Sequence, residues 1–118
     1  MRKARTRTRL AIDEMYSEFV VVAYARNNSK IAASRPYRKK RDALDAARRF
    51  NAGDHAVQVD AVNTPQGQVF GWGLVAANGV AVMTSINRVK SRAHAVRTAE
   101  RVAAGNHDIF DLERNLVS

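Results

Sequence analysis

The chain has 118 residues, 46% of them apolar but only 7% aromatic, and a formal net charge of +9. That length suits one compact domain, and the Ala-rich, aromatic-poor composition implies a thin core. The absence of cysteine excludes a disulfide framework, a thiolate zinc site, an iron–sulfur cluster and a cysteine nucleophile, and no apolar run is long enough to cross a bilayer.

Residues 1–8 read as a basic flexible arm, in which Arg2, Lys3, Arg5 and Arg7, continued by Arg9, meet no acid. Its charge resembles a secretory n-region, but Leu10-Ala11-Ile12 runs into Asp13-Glu14 and leaves no apolar h-region, so a cytoplasmic protein is expected. Residues 9–118 are expected to form a single domain. Arg9 to Met15 reads as a strand. The β-branched and aromatic run Glu18 to Ala25, the polar turn Asn27-Asn28-Ser29 and the return Ile31 to Tyr37 make a hairpin. Lys39 to Asn51 reads as a helix with an apolar stripe of Ala43, Leu44, Ala47 and Phe50, stopped by Gly53.

The same order then returns. Ala56 to Val62 is strand-like, and Val69 to Ala77 and Val80 to Ile86 flank Asn78-Gly79, a pair suited to a type I′ turn. Phe70, Trp72 and Leu74 share one sheet face, and Gly71 and Gly73 leave the other low enough for a helix or another backbone to approach. Ser91 is the expected N-cap of a second helix with Ala95, Val96, Ala99 and Val102 inward and Gly105 at its end. Asp108 to Leu112 is a leftover strand-like segment at the C-terminus.

Matched positions make this a duplication. Phe19, Asn27-Asn28 and Ser34 correspond to Phe70, Asn78-Gly79 and Ser85, and Gly53-Asp54-His55 corresponds to Gly105-Asn106-His107 one residue further on. The units span about 9–54 and 55–106. The expected fold class is α+β: two tandem ββ(β)α repeats sharing one antiparallel sheet, with two helices on one face.

Leu74-Val75-Ala76-Ala77-Asn78-Gly79, then Ser85, Ser91, Ala95 and Val102, resemble the small bacterial YegP-like family of tandem strand-hairpin-helix repeats. The resemblance covers about residues 17–107 and is best in the second copy. It departs at Asn27-Asn28-Ser29, at Arg35-Pro36 and in the Arg-rich tail. It implies the same α+β architecture and, because the function of that family is not understood, no catalytic residues.

The polar residues at matched positions have structural readings. His55 and His107 follow helix-ending glycines and read as turn residues; with Asp54, Asp108 and Asp111 they come from opposite repeat ends, so no metal is expected. Ser34 and Ser85 stand at strand ends with no His or acid at triad spacing, and Gly71-Trp72-Gly73 lacks the helix and lysine of a phosphate loop. The chain is therefore expected to be no enzyme and to need no cofactor. Tyr24, Phe70 and Trp72 are expected in the core, which leaves Tyr16 and Tyr37, each beside basic residues, as the better stacking candidates.

Charge is the signal that rises above this background. Arg35, Arg38, Lys39, Lys40, Arg41, Arg48 and Arg49 face only Asp42 and Asp45, and Arg92, Arg97 and Arg101 form a weaker second cluster. Between Phe50 and Asn87 there is no Lys or Arg. With the arm, these clusters point to DNA or RNA bound largely through backbone and shape, since phosphate contact needs cation density rather than a fixed motif. Two other readings remain open. One is a homodimeric or protein-interaction module pairing through a strand edge or the C-terminal segment, with the basic face meeting an acidic protein. The other is capture of a small anion such as a nucleotide by helix N-termini and Arg.

Overall fold

The computed structural model describes residues 8–117. In chain order it contains β1 (Arg9–Met15), β2 (Glu18–Tyr24), β3 (Lys30–Ser34), α1 (Lys40–Asn51), β4 (Ala56–Thr64), β5 (Gly67–Val75), β6 (Ala81–Ser85), α2 (Arg92–Ala103) and β7 (Ile109–Phe110). The strands form one seven-stranded sheet in the order β4-β5-β6-β3-β2-β1-β7. The fold is α+β, as expected, but the sheet is mixed. Its first six strands pair antiparallel, whereas β7 lies parallel to β1, with Leu10 opposite Ile109. Tight turns oblige neighbouring strands to run antiparallel, whereas a chain returning from α2 is free to enter an edge in the parallel sense.

Both helices cover one face. Ala43, Ala46, Ala47 and Phe50 of α1 and Ala95, Ala99 and Val102 of α2 bury against Leu10, Ile12, Val21, Ala23, Ala32, Trp72, Leu74, Met83 and Ile109. Small helix side chains let the backbone approach the sheet, so the strands supply most of the core volume. In α1 the buried stripe takes Ala46, and the expected Leu44 is only half-buried. Ser91 caps α2 as expected, its Oγ accepting from His94 N–H at 3.2 Å.

The opposite face carries a smaller cluster of Ala11, Val20, Val22 and Tyr24, with Ala33 and Phe110 packed against it. No described helix covers it. Over Gly71 lie side chains instead: a Cβ there would come within 3.1 Å of Asp60 and 3.6 Å of Arg88, which pair with each other at 3.9 Å.

The same local devices hold both hairpins. Ser34 Oγ accepts from Val21 N–H at 2.8 Å, and Ser85 Oγ accepts from Trp72 N–H at 3.0 Å. Phe19 exchanges backbone hydrogen bonds with Tyr37, as Phe70 does with Val89. At the tips, Ala25 N–H donates to Ser29 C=O and Ala76 N–H to Val80 C=O, with Asn28 at φ +69° and Gly79 at +83° in the left-handed position. Of the Asn78-Gly79 pair only Gly79 has positive φ, so the expected type I′ turn is not formed there. Asn78 Oδ1 instead accepts from Val80 N–H at 3.0 Å within a longer loop. The two consecutive left-handed residues of a type I′ turn are Tyr16 (φ 51°) and Ser17 (φ 66°), between β1 and β2.

Candidate nucleic-acid interface

α1 presents its cations outward because its other side is committed to the sheet. Lys40, Arg41, Arg48 and Arg49 are exposed on the helix, and Arg35, Arg38 and Lys39 are exposed on the segment leading into it. Arg48 pairs with Asp45 at 3.5 Å, both side chains being more than half exposed, a geometry worth little in water. Among the described residues none of the other six has an ion pair with an acid. The backbone exchange between Phe19 and Tyr37 ties the start of α1 to the start of β2. Tyr16, 93% exposed on the turn preceding β2, therefore lies at the same end of the sheet as Arg38 to Arg41.

Arg92, Arg97 and Arg101 are exposed on α2, on a helix with no acid in its first turn. Arg2, Lys3, Arg5 and Arg7 lie outside the described residues. Arg9 does not belong with them. It is the first residue of β1, half-buried, paired with Tyr24 across the strands and donating to Asn28 Oδ1 at 2.6 Å. The ladder with β2 holds it in the strand expected over Arg9 to Met15 rather than as a continuation of the arm.

Sequence reasoning missed the cluster around Arg9, on the sheet face away from the helices. Tyr24 O–H donates to Asp13 Oδ2 at 2.6 Å, Arg114 donates to Asp13 Oδ1 at 2.6 Å, and Lys30 Nζ stands 4.0 Å from Asp13. The guanidinium carbons of Arg9 and Arg114 lie 4.8 and 5.6 Å from the centre of the Tyr24 ring. Burial, with the hydrogen bond and charge of Asp13, raises the Tyr24 pKa above its ordinary value. Burial works against the Arg114 charge, but Asp13 outweighs it and the pKa of Arg114 is raised as well. Arg114 follows the acids Asp108, Asp111 and Glu113 in the sequence, and it meets Asp13 across a sequence separation of 101 that no linear pattern reveals.

A cleft of about 950 Å³ opens between the β2–β3 turn and α2. Trp72, Ile31, Val89 and Ala95 supply its apolar surface, and Arg26 and Arg101 are among its polar lining. Trp72 is 5% exposed and Tyr24 7%, so both are core residues as expected, but Tyr24 packs on the helix-free face.

The histidines have local roles. His107 is buried and its Nε2 lies 3.0 Å from the Val102 carbonyl, while the His55 ring packs against Phe50 with centroids 5.1 Å apart. Nδ1 of each is buried without a hydrogen-bond partner. No three metal-ligating side chains converge among the described residues.

This architecture, one mixed seven-stranded sheet with two helices on a single face, is that of a small α+β domain. It is shared with the solution NMR structure of yegP from E. coli, a protein of unknown function. That structure has a TM-score of 0.66 and 16% identity, over 92% of this chain and 96% of that one. A UPF0339 protein from Shewanella oneidensis is similar at a TM-score of 0.65 and 18% identity, over 88% and 90%. The YegP-like resemblance carried by the sequence is thus shown at the level of the fold. No family model matches the chain, and no curated protein matches it in sequence.

Proposed function

We propose that the protein binds nucleic acid without catalysing a reaction, through the cations of α1 and the segment before it, reading backbone and shape rather than base sequence. The observation that carries this reading is the exposure of seven Lys and Arg between Arg35 and Arg49, of which only Arg48 is ion-paired among the described residues. Unpaired exposed cations release counterions from a polyphosphate without first breaking contacts of their own. Arg92, Arg97 and Arg101 add a weaker face, Arg2, Lys3, Arg5 and Arg7 would extend the contact, and Tyr16 at the same sheet end offers a ring for an unpaired base. Among the described residues no helix is long and apolar enough to cross a membrane, and a cytoplasmic location goes with this reading. The matched hairpin devices support reading the domain as two copies of one unit that diverged in charge.

The test is fluorescence anisotropy with labelled single- and double-stranded DNA and RNA over a salt series. For about six phosphate contacts on a duplex, log K should fall against log salt with a slope of about −5. Lys40→Gln with Arg41→Gln should make it shallower by about two, with the fold unchanged. Absence of binding at low salt, or a slope indifferent to these substitutions, overturns the reading.

Two rival readings each have an observation behind them. The free edge of β4 favours assembly of copies. The cleft beside Trp72, with Arg26 and Arg101 in its lining, favours a small anion with an apolar body. Trp72 is the only tryptophan. Its fluorescence would therefore respond to a nucleotide in that cleft and stay silent for a ligand held on α1.

A further inference from the structure

We propose that the helix-free sheet face holds a second anion site, between Arg9 and Arg114, that takes a phosphate monoester or inorganic phosphate dianion. The site is a cavity of about 320 Å³ lined by Arg9, Ala11, Tyr24, Asn28, Phe110 and Arg114. Ala11 is 1% exposed, and Ala11, Tyr24 and Phe110 together give the cavity apolar walls. The cavity is open to solvent on its outer side, the Arg114 side chain being 54% exposed, and its apolar floor lowers the local dielectric on the inner side.

The two guanidinium groups are held in place before any ligand arrives. Arg9 is fixed by Asn28 and by the Tyr24 ring, and Arg114 by Asp13 and the same ring. Each is a planar fork of five donors, of which the structure spends a fraction on Asn28 and Asp13, so N–H groups remain for an oxyanion. Preorganisation of this kind lowers the entropy lost on binding.

Charge selects the ligand. Arg9, Tyr24 and Arg114 line the cavity, and Asp13, which holds Tyr24 and Arg114, and Lys30, beside Asp13, stand behind them. Asp13 is the one carboxylate, and it already accepts from Tyr24 and Arg114 and stands 4.0 Å from Lys30. Asp111, next to Phe110, is not among the residues that line the cavity and accepts from the backbone N–H groups of Glu113 and Asn115. Three cations against one carboxylate leave two positive charges. A phosphate monoester carries about −1.5 to −2 at neutral pH, whereas a carboxylate or an internal phosphodiester carries one negative charge. This site lies on the face opposite α1, so it stands or falls separately from the interface proposed above.

An NMR titration of the full chain with inorganic phosphate, with acetate as the monoanion control, tests the proposal. Phosphate should shift the amides of Ala11, Tyr24, Asn28 and Phe110 saturably, and more tightly than acetate. Arg9→Gln and Arg114→Gln should each weaken phosphate about tenfold, and Lys90→Gln, at an exposed position before α2, should not. Arg114→Lys separates charge from fork geometry and should recover part of the loss. A 5′-phosphorylated oligonucleotide should shift the same amides where its unphosphorylated counterpart does not. Shifts confined to α1, or an unchanged affinity in the folded Arg9→Gln and Arg114→Gln proteins, would overturn the site. Equal response to both oligonucleotides would overturn its preference for a dianion.

Discussion

Asn51 holds the backbone of His107 through both of its side-chain polar atoms: Nδ2 donates to the His107 carbonyl at 2.6 Å and Oδ1 accepts the His107 N–H at 2.9 Å. Asn51 C=O also accepts from Asn106 N–H at 3.1 Å, so the ends of α1 and α2 are joined to each other. The join admits no side chain at Gly105, whose φ is +76° and whose Cβ would meet the Asn51 carbonyl. Asn51→Ala strands two backbone groups and should cost about 1–3 kcal/mol in urea unfolding. Gly105→Ala, strained by its φ and blocked by backbone, should cost at least as much. A loss below about 0.5 kcal/mol for both would mean that the helix ends are not coupled.

The two serine latches should differ in worth because they differ in burial. Ser34 is 8% exposed and its Oγ also donates to Arg35 C=O at 2.8 Å, whereas Ser85 is half-buried. Ser34→Ala leaves the Val21 N–H, on a strand with no water access, without an acceptor, and should cost about 1–3 kcal/mol. Ser85→Ala should cost less, since water can reach the Trp72 amide more readily. Equal losses would show that burial is not what sets the strength of the latch.

What was legible in the chain was local. The strands, both helices, the Ser91 cap, the glycine stops and the burial of Trp72 follow from period, caps and turn residues within about ten positions of each other. The parallel pairing of β7 with β1, the tie of Asn51 to His107 and the Asp13–Arg114 pair join residues 56 to about 100 positions apart, where linear pattern is silent. Arg9 shows the limit from the other side. Its charge and its place at the head of a strand are legible, but its contacts with Asn28 and Tyr24 are not, because an alternating basic run looks the same whether it continues an arm or enters a strand.

Tyr16 occupies a backbone region that a bulky side chain resists, at φ 51° and 93% exposed. Asn-Gly is the preferred pair for this turn. Replacing Tyr16-Ser17 by Asn-Gly should therefore raise stability by about 0.5–1 kcal/mol, read by thermal or urea unfolding. If Tyr16 stacks on a base, the same protein should bind single-stranded nucleic acid more weakly, by about 1–3 kcal/mol. Greater stability with unchanged binding would leave Tyr16 no part in recognition.

Tyr24 should ionise above the ordinary tyrosine range. A folded-state pKa above the ordinary value of about 10 means that the folded chain holds the phenolic proton more tightly than the unfolded one. The stabilisation linked to that proton is present in full below about pH 10 and is lost as pH rises through the folded-state value. Ultraviolet titration of the wild type against Tyr24→Phe should show the Tyr24 phenol ionising above the ordinary tyrosine value. Tyr24→Phe should lose its share of the stability at neutral pH and flatten the decline above pH 10. A Tyr24 that ionises at the ordinary tyrosine value would mean that neither burial nor Asp13 holds its proton.

The two edges of the sheet are unequal, and the difference predicts how copies associate. At one edge β7 is two residues long and is backed by the chain itself, with Val117 N–H donating to Ile109 C=O at 2.8 Å. At the other, β4 runs for nine residues with regular pairing to β5 and no lysine, arginine, proline or bulge, and its one charged side chain, Asp60, is paired with Arg88 at 3.9 Å. It also lies in the stretch without cations, the region where two chains of charge +9 repel least. Antiparallel β4–β4 pairing between copies is therefore expected, and salt should strengthen it by screening the repulsion, the opposite of its effect on nucleic-acid binding. Sedimentation over a concentration series, after nuclease treatment, should show a dimer favoured at high salt. The outward amides of β4 should be protected from exchange in proportion to it. Val62→Lys, at a position 37% exposed, should return the protein to a monomer without unfolding it. A monomeric mass at every concentration in high salt, with every second β4 amide exchanging freely, would exclude the edge as an interface.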